Sequence, residues 1–417
     1  MKSSGIKATA LGAGLVVALA ACGGAGTTAA SSTTSSDTIH LGLMADYTGA
    51  QSYLGPDMES GVRTALAEIN AAGGILGRQV DLSTGDTVGD PVDAIPAFRK
   101  LVSSNHIIAS IGPTSNSGPA LLPIAQSQSL PMFLQGGTTA LDHNTNPFFF
   151  RTTVGDGSLG KAMAAFAIKK QLMKAAFAFT SSTSAQTLVD PIKTAYTAKG
   201  GSVVANVQLV PAASSYRSQI QQIMATKPDV VFIQQDPQTA ATFFQEASEL
   251  GFDNQTTWVG TDTEMSQDVF KALGPKLATT NFFFAHGGTV SDPAVAIFNA
   301  AYLKQTGKSQ ALTFAPESYD ATTILALAID KAKTTDGAAV SKAVLDVSEP
   351  TAGAVNVYSY SQGLAALAKG ESINYDGVAS TDDFDQYHNV AGPFVVSSWT
   401  AAGSLQDVMS LTPADLG

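Results

Sequence analysis

Thr38-Ile-His-Leu-Gly-Leu-Met-Ala45 is an apolar run of the length of one buried strand. After it, Met58, Val62, Leu66 and Ile69 fall at helical spacing. Asp57 is placed to cap that helix, and Gly73-Gly74 to close it. Gln79 to Ser83 reads as a second strand, and Val92 to Val102 as a second helix with Ile95, Phe98 and Leu101 on one face. Strands at Ile107–Gly112 and Leu130–Leu134 follow, with a helix through Ala120 to Gln126 between them. Repeated strand–helix units build a parallel sheet with helices on both faces.

The alternation begins again after Arg151. Ala175 to Thr180, Ser202 to Leu209, Asp229 to Gln234 and Thr256 to Gly260 read as strands, with helices such as Ser215–Ala225 and Gln238–Gly251 between them. Two runs of similar length imply two similar lobes. From about Phe282 onward the chain holds helices at Pro293–Gln305 and Pro316–Lys333, then short strands and loops, too little for a third domain. The expectation is an α/β protein of two discontinuous lobes joined by a multi-strand hinge. The first lobe takes 37–152 plus 285–390, and the second 153–284 plus 391–417. Ligands sit beyond the carboxyl ends of parallel strands, and paired lobes of this kind close by hinge bending.

The opening of the chain sets the expected compartment. Lys2 and Lys7 precede an uncharged apolar run from Ala8 to Ala21, which ends in Leu19-Ala-Ala-Cys22. This is the pattern of a secretory signal peptide over 1–21, too short for a membrane span. The tetrad resembles a bacterial lipobox, with lipid attached to Cys22, the chain's single cysteine. No cysteine is then left for a disulfide, a zinc site or a thiol nucleophile. Residues 23–36 contain only Gly, Ala, Thr and Ser, a flexible tether of about 20 Å. The expected location is the outer face of the cell membrane, held by lipid. Removing Lys2 and Lys7 takes the formal net charge from −11 to −13, which argues against nucleic acid and against lying flat on an anionic bilayer.

Several motifs are weighed and set aside. Gly155-Asp-Gly-Ser-Leu-Gly-Lys-Ala162 matches both a dinucleotide fingerprint and most of a phosphate loop. No acidic residue ends the next strand, however, and Ala162 stands where a magnesium-binding hydroxyl belongs. It reads as a turn into a helix capped by Asp156 or Ser158. Gly-x-Ser-x-Gly, Ser-x-x-Lys and His-Glu-x-x-His are absent, and the five histidines are scattered, so neither a hydrolase nor a metal site is expected. Asp382-Asp-Phe-Asp385 lacks the glycine of a calcium loop and reads as a solvated loop. No cofactor is implied.

Polar residues at strand ends remain. Gly112-Pro-Thr-Ser-Asn-Ser-Gly118 offers backbone donors with Thr114, Ser115, Asn116 and Ser117, a cradle for a carboxylate at a helix N-terminus. Gln135-Gly-Gly-Thr-Thr139 follows the next strand similarly. In the second lobe Gly260-Thr-Asp-Thr-Glu264 ends a strand, and Asp262 can receive an ammonium.

Ile39-His-Leu-Gly-Leu through Thr48-Gly49, Gly61 to Asn70 and Gly73-Gly-Ile-Leu-Gly-Arg78 resemble the start of the branched-chain amino acid (Leu/Ile/Val) binding proteins of the type I periplasmic fold. Asp86, Gly112-Pro113, Pro131 with Gly136–Thr138, Phe150-Arg-Thr152, Lys227-Pro-Asp229, Gly260–Asp262 and Tyr319-Asp-Ala321 agree in order and spacing. The resemblance spans the whole body. It implies a ligand carboxylate on Asn116, Ser117, Gly136 and Thr138, the ligand ammonium on Asp262, and Tyr319 on the hinge side of the cleft. The chain departs from the pattern at Asn116, where serine is common, at Ser184-Ala-Gln186 and at Asp236-Pro237, where aromatic walls are common. Loss of those walls and gain of Asp236 imply a wider or more polar pocket, and weigh against leucine, isoleucine and valine as ligands. The function expected is capture of an amino acid or related solute for an ABC permease and its ATPase. A signalling receptor of the same fold is the alternative, and an exported enzyme lacks any nucleophile–base constellation.

Overall fold

The computed structural model describes residues 38–416, apart from 253, 289–291, 310 and 312. Cys22 and the leader and tether expected around it lie outside the described residues. Five strands form the first sheet: β1 (Ile39–Ala45), β2 (Val80–Asp86), β3 (Ser110–Ile111), β4 (Met132–Leu134) and β5 (Phe149–Arg151). They are parallel throughout, in the order β2-β1-β3-β4-β5, with Ile39 opposite Val80 and Leu134 opposite Arg151. The second sheet takes β6 (Lys174–Thr180), β7 (Ser202–Leu209), β8 (Val230–Gln234), β9 (Thr257–Gly260) and β10 (Phe282–Gly287) as parallel strands. A short parallel pair, β11 (Val355–Val357) and β12 (Ile373–Tyr375), stands apart. An antiparallel hairpin, β13 (Phe394–Trp399) and β14 (Leu405–Leu411), completes the second sheet in the order β14-β13-β10-β9-β8-β6-β7.

Each sheet is covered on both faces. One face of the first packs Leu41, Leu43 and Phe133 against Met58, Val62 and Ile69 and against Tyr319, Ile324 and Val344 from the late helices. The other packs Met44, Met132 and Phe149 against Phe98 and Leu121. The second sheet has its own two cores, one around Phe177, Phe232 and Val396, the other around Trp258, Phe244 and Trp399. Because β10 pairs through Gly287 with β13, the chain stays in the second sheet past the crossing expected at 285.

The late segment joins the first lobe through contacts that only small residues permit. A Cβ on Gly61 would lie 2.0 Å from the Ala315 carbonyl oxygen, so helices Leu54–Ala71 and Ala315–Ala332 cross there backbone to backbone. Asp320 then accepts from the Tyr375 hydroxyl and from the Val378 and Ala379 amides, each at 2.8 Å, and fixes the next stretch of chain. Asp382 is fully buried beside it, so the Asp382–Asp385 run is not the solvated loop expected. Nor do the two expected caps act as caps. The first helix starts at Leu54 with Asp57 buried in its first turn, and Gly155 holds the N-cap position before Asp156.

Three chain segments cross between the sheets side by side. Arg151 bridges to Asn389, the Val390 amide donates to the Arg151 carbonyl at 3.3 Å, and the Gly288 amide donates to the Pro393 carbonyl at 2.8 Å. Three crossings side by side, two in one direction and one in the other, join lobes that can bend about them, which is the motion a hinge needs.

Candidate functional site

The carboxyl ends of both sets of parallel strands face one cleft of about 480 Å³. From the first sheet come Gln51, Tyr53, Ser115, Gln135, Gly136 and Gly137; from the second, Ser184, Gln234, Asp262 and His286; the helix start at Pro316-Glu317 closes one side. This volume holds a small solute, within the size range of ordinary ligand pockets.

On the first lobe two strand-end loops touch directly. The Ser115 hydroxyl accepts from the Thr138 amide at 3.2 Å, and a Cβ on Gly136 would stand 2.4 Å from that hydroxyl, so glycine is required. Arg151 is 2% exposed and locks the second loop from behind, donating to the Thr138 carbonyl at 3.1 Å and to Asp142 at 2.7 Å. The Asp156 amide donates to the Gly137 carbonyl at 2.7 Å, and its carboxylate accepts from the Thr187 hydroxyl of the second lobe. Burial pushes the Asp156 carboxyl up to about 7.

Of the eight expected ligand positions, the structure brings Ser115, Gly136 and Asp262 to the cleft wall. Asn116 is engaged elsewhere: its Nδ2 donates to Gln51 Oε1 at 2.5 Å and its Oδ1 accepts from the Ser184 amide at 2.9 Å. Ser117 is fully buried, at the N-cap position of helix Gly118–Ser127, without a capping bond. Thr138 is buried too, and its hydroxyl accepts from the Ala140 amide. Asp236 caps helix Pro237–Glu249, one oxygen accepting from the Thr239 amide at 2.9 Å and the other from the Thr239 hydroxyl at 2.6 Å. It stands beside a minor pocket rather than in the main cleft. Tyr319 lies in the first core, its hydroxyl donating to Glu68 at 2.5 Å and its ring edge-on to Phe298. The carboxylate cradle implied by the resemblance is therefore reduced to the Ser115 and Gly136–Gly137 loops, and Asp236 and Tyr319 do not reach the cleft.

Among the cleft residues that the sequence reading misses are Asp156, Glu317, His286 and Asp407. Asp156 sat inside the glycine motif that was set aside, and Glu317 two positions before the noticed tyrosine. His286 ends a parallel strand, so the strand-end rule finds it once β10 is recognised. Burial holds Asp262 above the ordinary carboxylate range, offset in part by the neighbouring His286. Burial likewise pushes Glu317 up to about 8, and its Oε2 has no hydrogen-bond partner. Glu264, next along from Asp262, is fully buried and turned inward. It accepts from the Thr261 and Gln235 amides at 2.8 and 2.5 Å.

His286 heads a hydrogen-bonded row. Its Nδ1 is 2.7 Å from the Gly287 carbonyl, its Nε2 is 2.8 Å from Ser397 Oγ, and Ser397 Oγ is 2.8 Å from Asp407. A carbonyl only accepts, so Nδ1 carries a hydrogen. Serine has one hydrogen to offer its two partners, and Asp407, on an exposed stretch of β14, also meets solvent. Serine stands between imidazole and carboxyl, not at the end, which is the wrong order for nucleophile activation. Among the described residues no group of three or more His, Cys, Asp or Glu side chains is placed to hold a metal ion. No described helix is long and apolar enough to cross a membrane.

Comparison with known proteins agrees with this architecture. The profile of the periplasmic binding protein family matches residues 38–404. A Leu/Ile/Val-binding protein of Rhizobium johnstonii is 27% identical over 329 residues, covering 75% of this chain and 85% of that protein. Among solved structures, the branched-chain amino acid transporter substrate binding protein LivJ of Streptococcus pneumoniae, in complex with isoleucine, superposes with a TM-score of 0.75. It is 20% identical and covers 90% of this chain and all of that one. An ABC transporter solute binding protein of R. palustris in complex with benzoate gives 0.74 at 18% identity, over 90% and 96%. At such identities these structures establish the two-lobed type I fold. The family binds solutes without transforming them, so the chain is no enzyme. With that profile spanning nearly the whole described body, the chain belongs to the periplasmic binding protein family.

Proposed function

We propose that this chain is the extracytoplasmic solute receptor of an ABC importer, tethered to the membrane by lipid on Cys22. It captures an amino acid or related small polar solute between its lobes and presents the closed form to a permease. The observation that carries this reading is the cleft: of solute size, mixed in polarity, and walled by strand ends of both sheets. The names of the relatives support it, since proteins of this architecture are described with branched-chain amino acids and with benzoates. We assign 37–152 with the return segment after Gly287 to one lobe, and 153–287 with 391–417 to the other. Ser115, Gly136 and Asp262 are the ligand contacts retained from the sequence.

Thermal unfolding of the refolded chain against amino acids, amides, urea derivatives and aromatic acids tests the reading. A solute at 100 times its dissociation constant adds about 2.7 kcal/mol and raises the midpoint by a few degrees. For an amine-bearing hit, Asp262→Ala weakens binding by more than about tenfold, or about 1.4 kcal/mol. A library with no hit in any class removes the receptor reading, and unchanged affinity removes the role of Asp262.

A further inference from the structure

The cleft wall has an unbalanced chemistry. Among its described residues it carries the carboxyls of Asp156, Asp262, Glu317 and Asp407, one histidine, and neither lysine nor arginine. Arg151 lies off the wall, bound to Asp142 and the Thr138 carbonyl, and its charge lowers the Asp156 carboxyl only against the larger effect of burial. Asp407 is answered through Ser397 by His286, and Asp156 takes one hydroxyl hydrogen bond from Thr187. Glu317 has no partner at Oε2, and Gln234 none at Oε1, although both atoms are shielded from solvent. Gln234 Oε1 only accepts, Glu317 Oε2 accepts once its carboxyl is ionised, and the Tyr53 hydroxyl, a third unpartnered atom on the wall, can donate or accept. A buried acceptor without a donor costs free energy, which a solute bringing N–H groups to the ionised Glu317 and to Gln234 relieves.

The three carboxyls converge on one volume. All three line the same cleft, and the Asp262 charge raises both Asp156 and Glu317. We propose that the solute is an organic cation, with an ammonium or guanidinium group seated among Asp156, Asp262 and Glu317 and a net positive charge overall. This rests on the reading of the cleft as a solute site. A neutral zwitterion would spend its single ammonium on Asp262 and leave Glu317 uncompensated. An aromatic acid would bring a carboxylate to a wall that already carries four carboxyl groups. The Ser115 and Gly136–Gly137 loops remain free for a polar or carboxylate end of the same molecule.

A proton balance follows. Burial holds Asp156 at about 7 and Glu317 at about 8, so both are partly protonated at neutral pH, and it raises Asp262 as well. The other groups facing them do not remove that bias. Tyr53 lines the same cleft, Glu264 is turned onto its amides, His286 lies beside Asp262, Arg151 lowers Asp156 while Asp142 raises it, and Asp320 and Asp382 act on or beside Glu317 as further acids. A cation favours the ionised carboxyls, so its binding expels protons and its affinity rises with pH up to about 8.

Titration calorimetry of the full chain, refolded free of carried solute, tests this at pH 7 in two buffers of different ionisation enthalpy. The probes are L-lysine, L-arginine, putrescine, L-leucine and 4-hydroxybenzoate. The expected result is a cation bound at least roughly tenfold more tightly than leucine or 4-hydroxybenzoate, with release of about one proton. Glu317→Gln, which keeps the shape, is expected to weaken that cation about tenfold and to abolish most of the release, with the fold intact by circular dichroism. Leucine or 4-hydroxybenzoate binding while all three cations fail would overturn the cation and leave the receptor standing. Binding of a cation without proton release would overturn the carboxyl seat. No binding by any probe counts against both.

Discussion

Asn116 presents the two ends of one carboxamide to opposite sides of the cleft. Its Nδ2 reaches Gln51 of the first lobe and its Oδ1 takes the Ser184 amide of the second, while Gln51 also reaches the Ser184 hydroxyl at 3.4 Å. The two bonds to Ser184 exist only when the lobes are together, so they act on closure without touching the solute. Each hydrogen bond contributes about 1 kcal/mol net, so Asn116→Ala is expected to weaken solute binding about tenfold. Stopped-flow measurement should place the loss in a faster dissociation rate, since the bond to Ser184 forms only on closure; an unchanged rate would remove the latch. The same residue marks a limit of the sequence. Asn116 and Asp236 both sit at strand ends before helices, where capping, latching and ligand contact call for the same side chains. What decides is a partner invisible in sequence order: Ser184 lies 68 positions away, and Thr239 takes both oxygens of Asp236. Tyr319 and Glu317 lie two residues apart on one helix, roughly 200° around its axis, so both cannot face the cleft. That helix is buried on nearly every side, leaving no apolar stripe from which its phase could be read.

At the scale of elements, the parallel strands and the helices between them were legible because each obeys one period and is bounded by turn residues. β10 was not, since Phe282-Phe-Phe-Ala-His-Gly287 starts directly after the C-cap Asn281 with no glycine or proline between. β14 was not either. It is an edge strand whose residues are mostly exposed, so it lacks the alternation a half-buried strand displays. The hairpin it forms with β13 brings Ser397 and Asp407 to His286, which is why that row could not be anticipated. The return of the late helices to the first lobe was inferred from shortage of chain, and the structure supplies the contact, Gly61 against Ala315. Gly61→Val is therefore expected to cost about 1–3 kcal/mol by overpacking. Urea unfolding measures it; no loss would mean that the two helices do not cross this closely.

Over the whole molecule, burial of carboxyls ties stability to pH with a definite sign. Asp46 and Asp320 are pushed up to about 6, Asp156 to about 7, and Glu264 and Glu317 to about 8, against 3.8 or 4.5 in the unfolded chain. Between those limits the native state holds more protons than the unfolded state, so stability falls as pH rises from about 4 to about 8. Asp86 and Asp415 are shifted downward, and the stability they contribute is lost only as pH falls below the unfolded value, outside this window. The solute-free chain is thus expected to melt at a higher temperature at pH 5 than at pH 8, the reverse of a protein whose carboxylates are paired. A bound cation supplies the charge that the cleft carboxyls lack, so saturation should flatten the decline by the share belonging to Asp156 and Glu317. The part belonging to Glu264 and Asp320, buried in the frame behind the cleft, should persist. Calorimetric scans across this range, with and without solute, separate the two shares. A flat profile in the empty protein would mean that the lobes spend most of their time open, with the carboxyls in water.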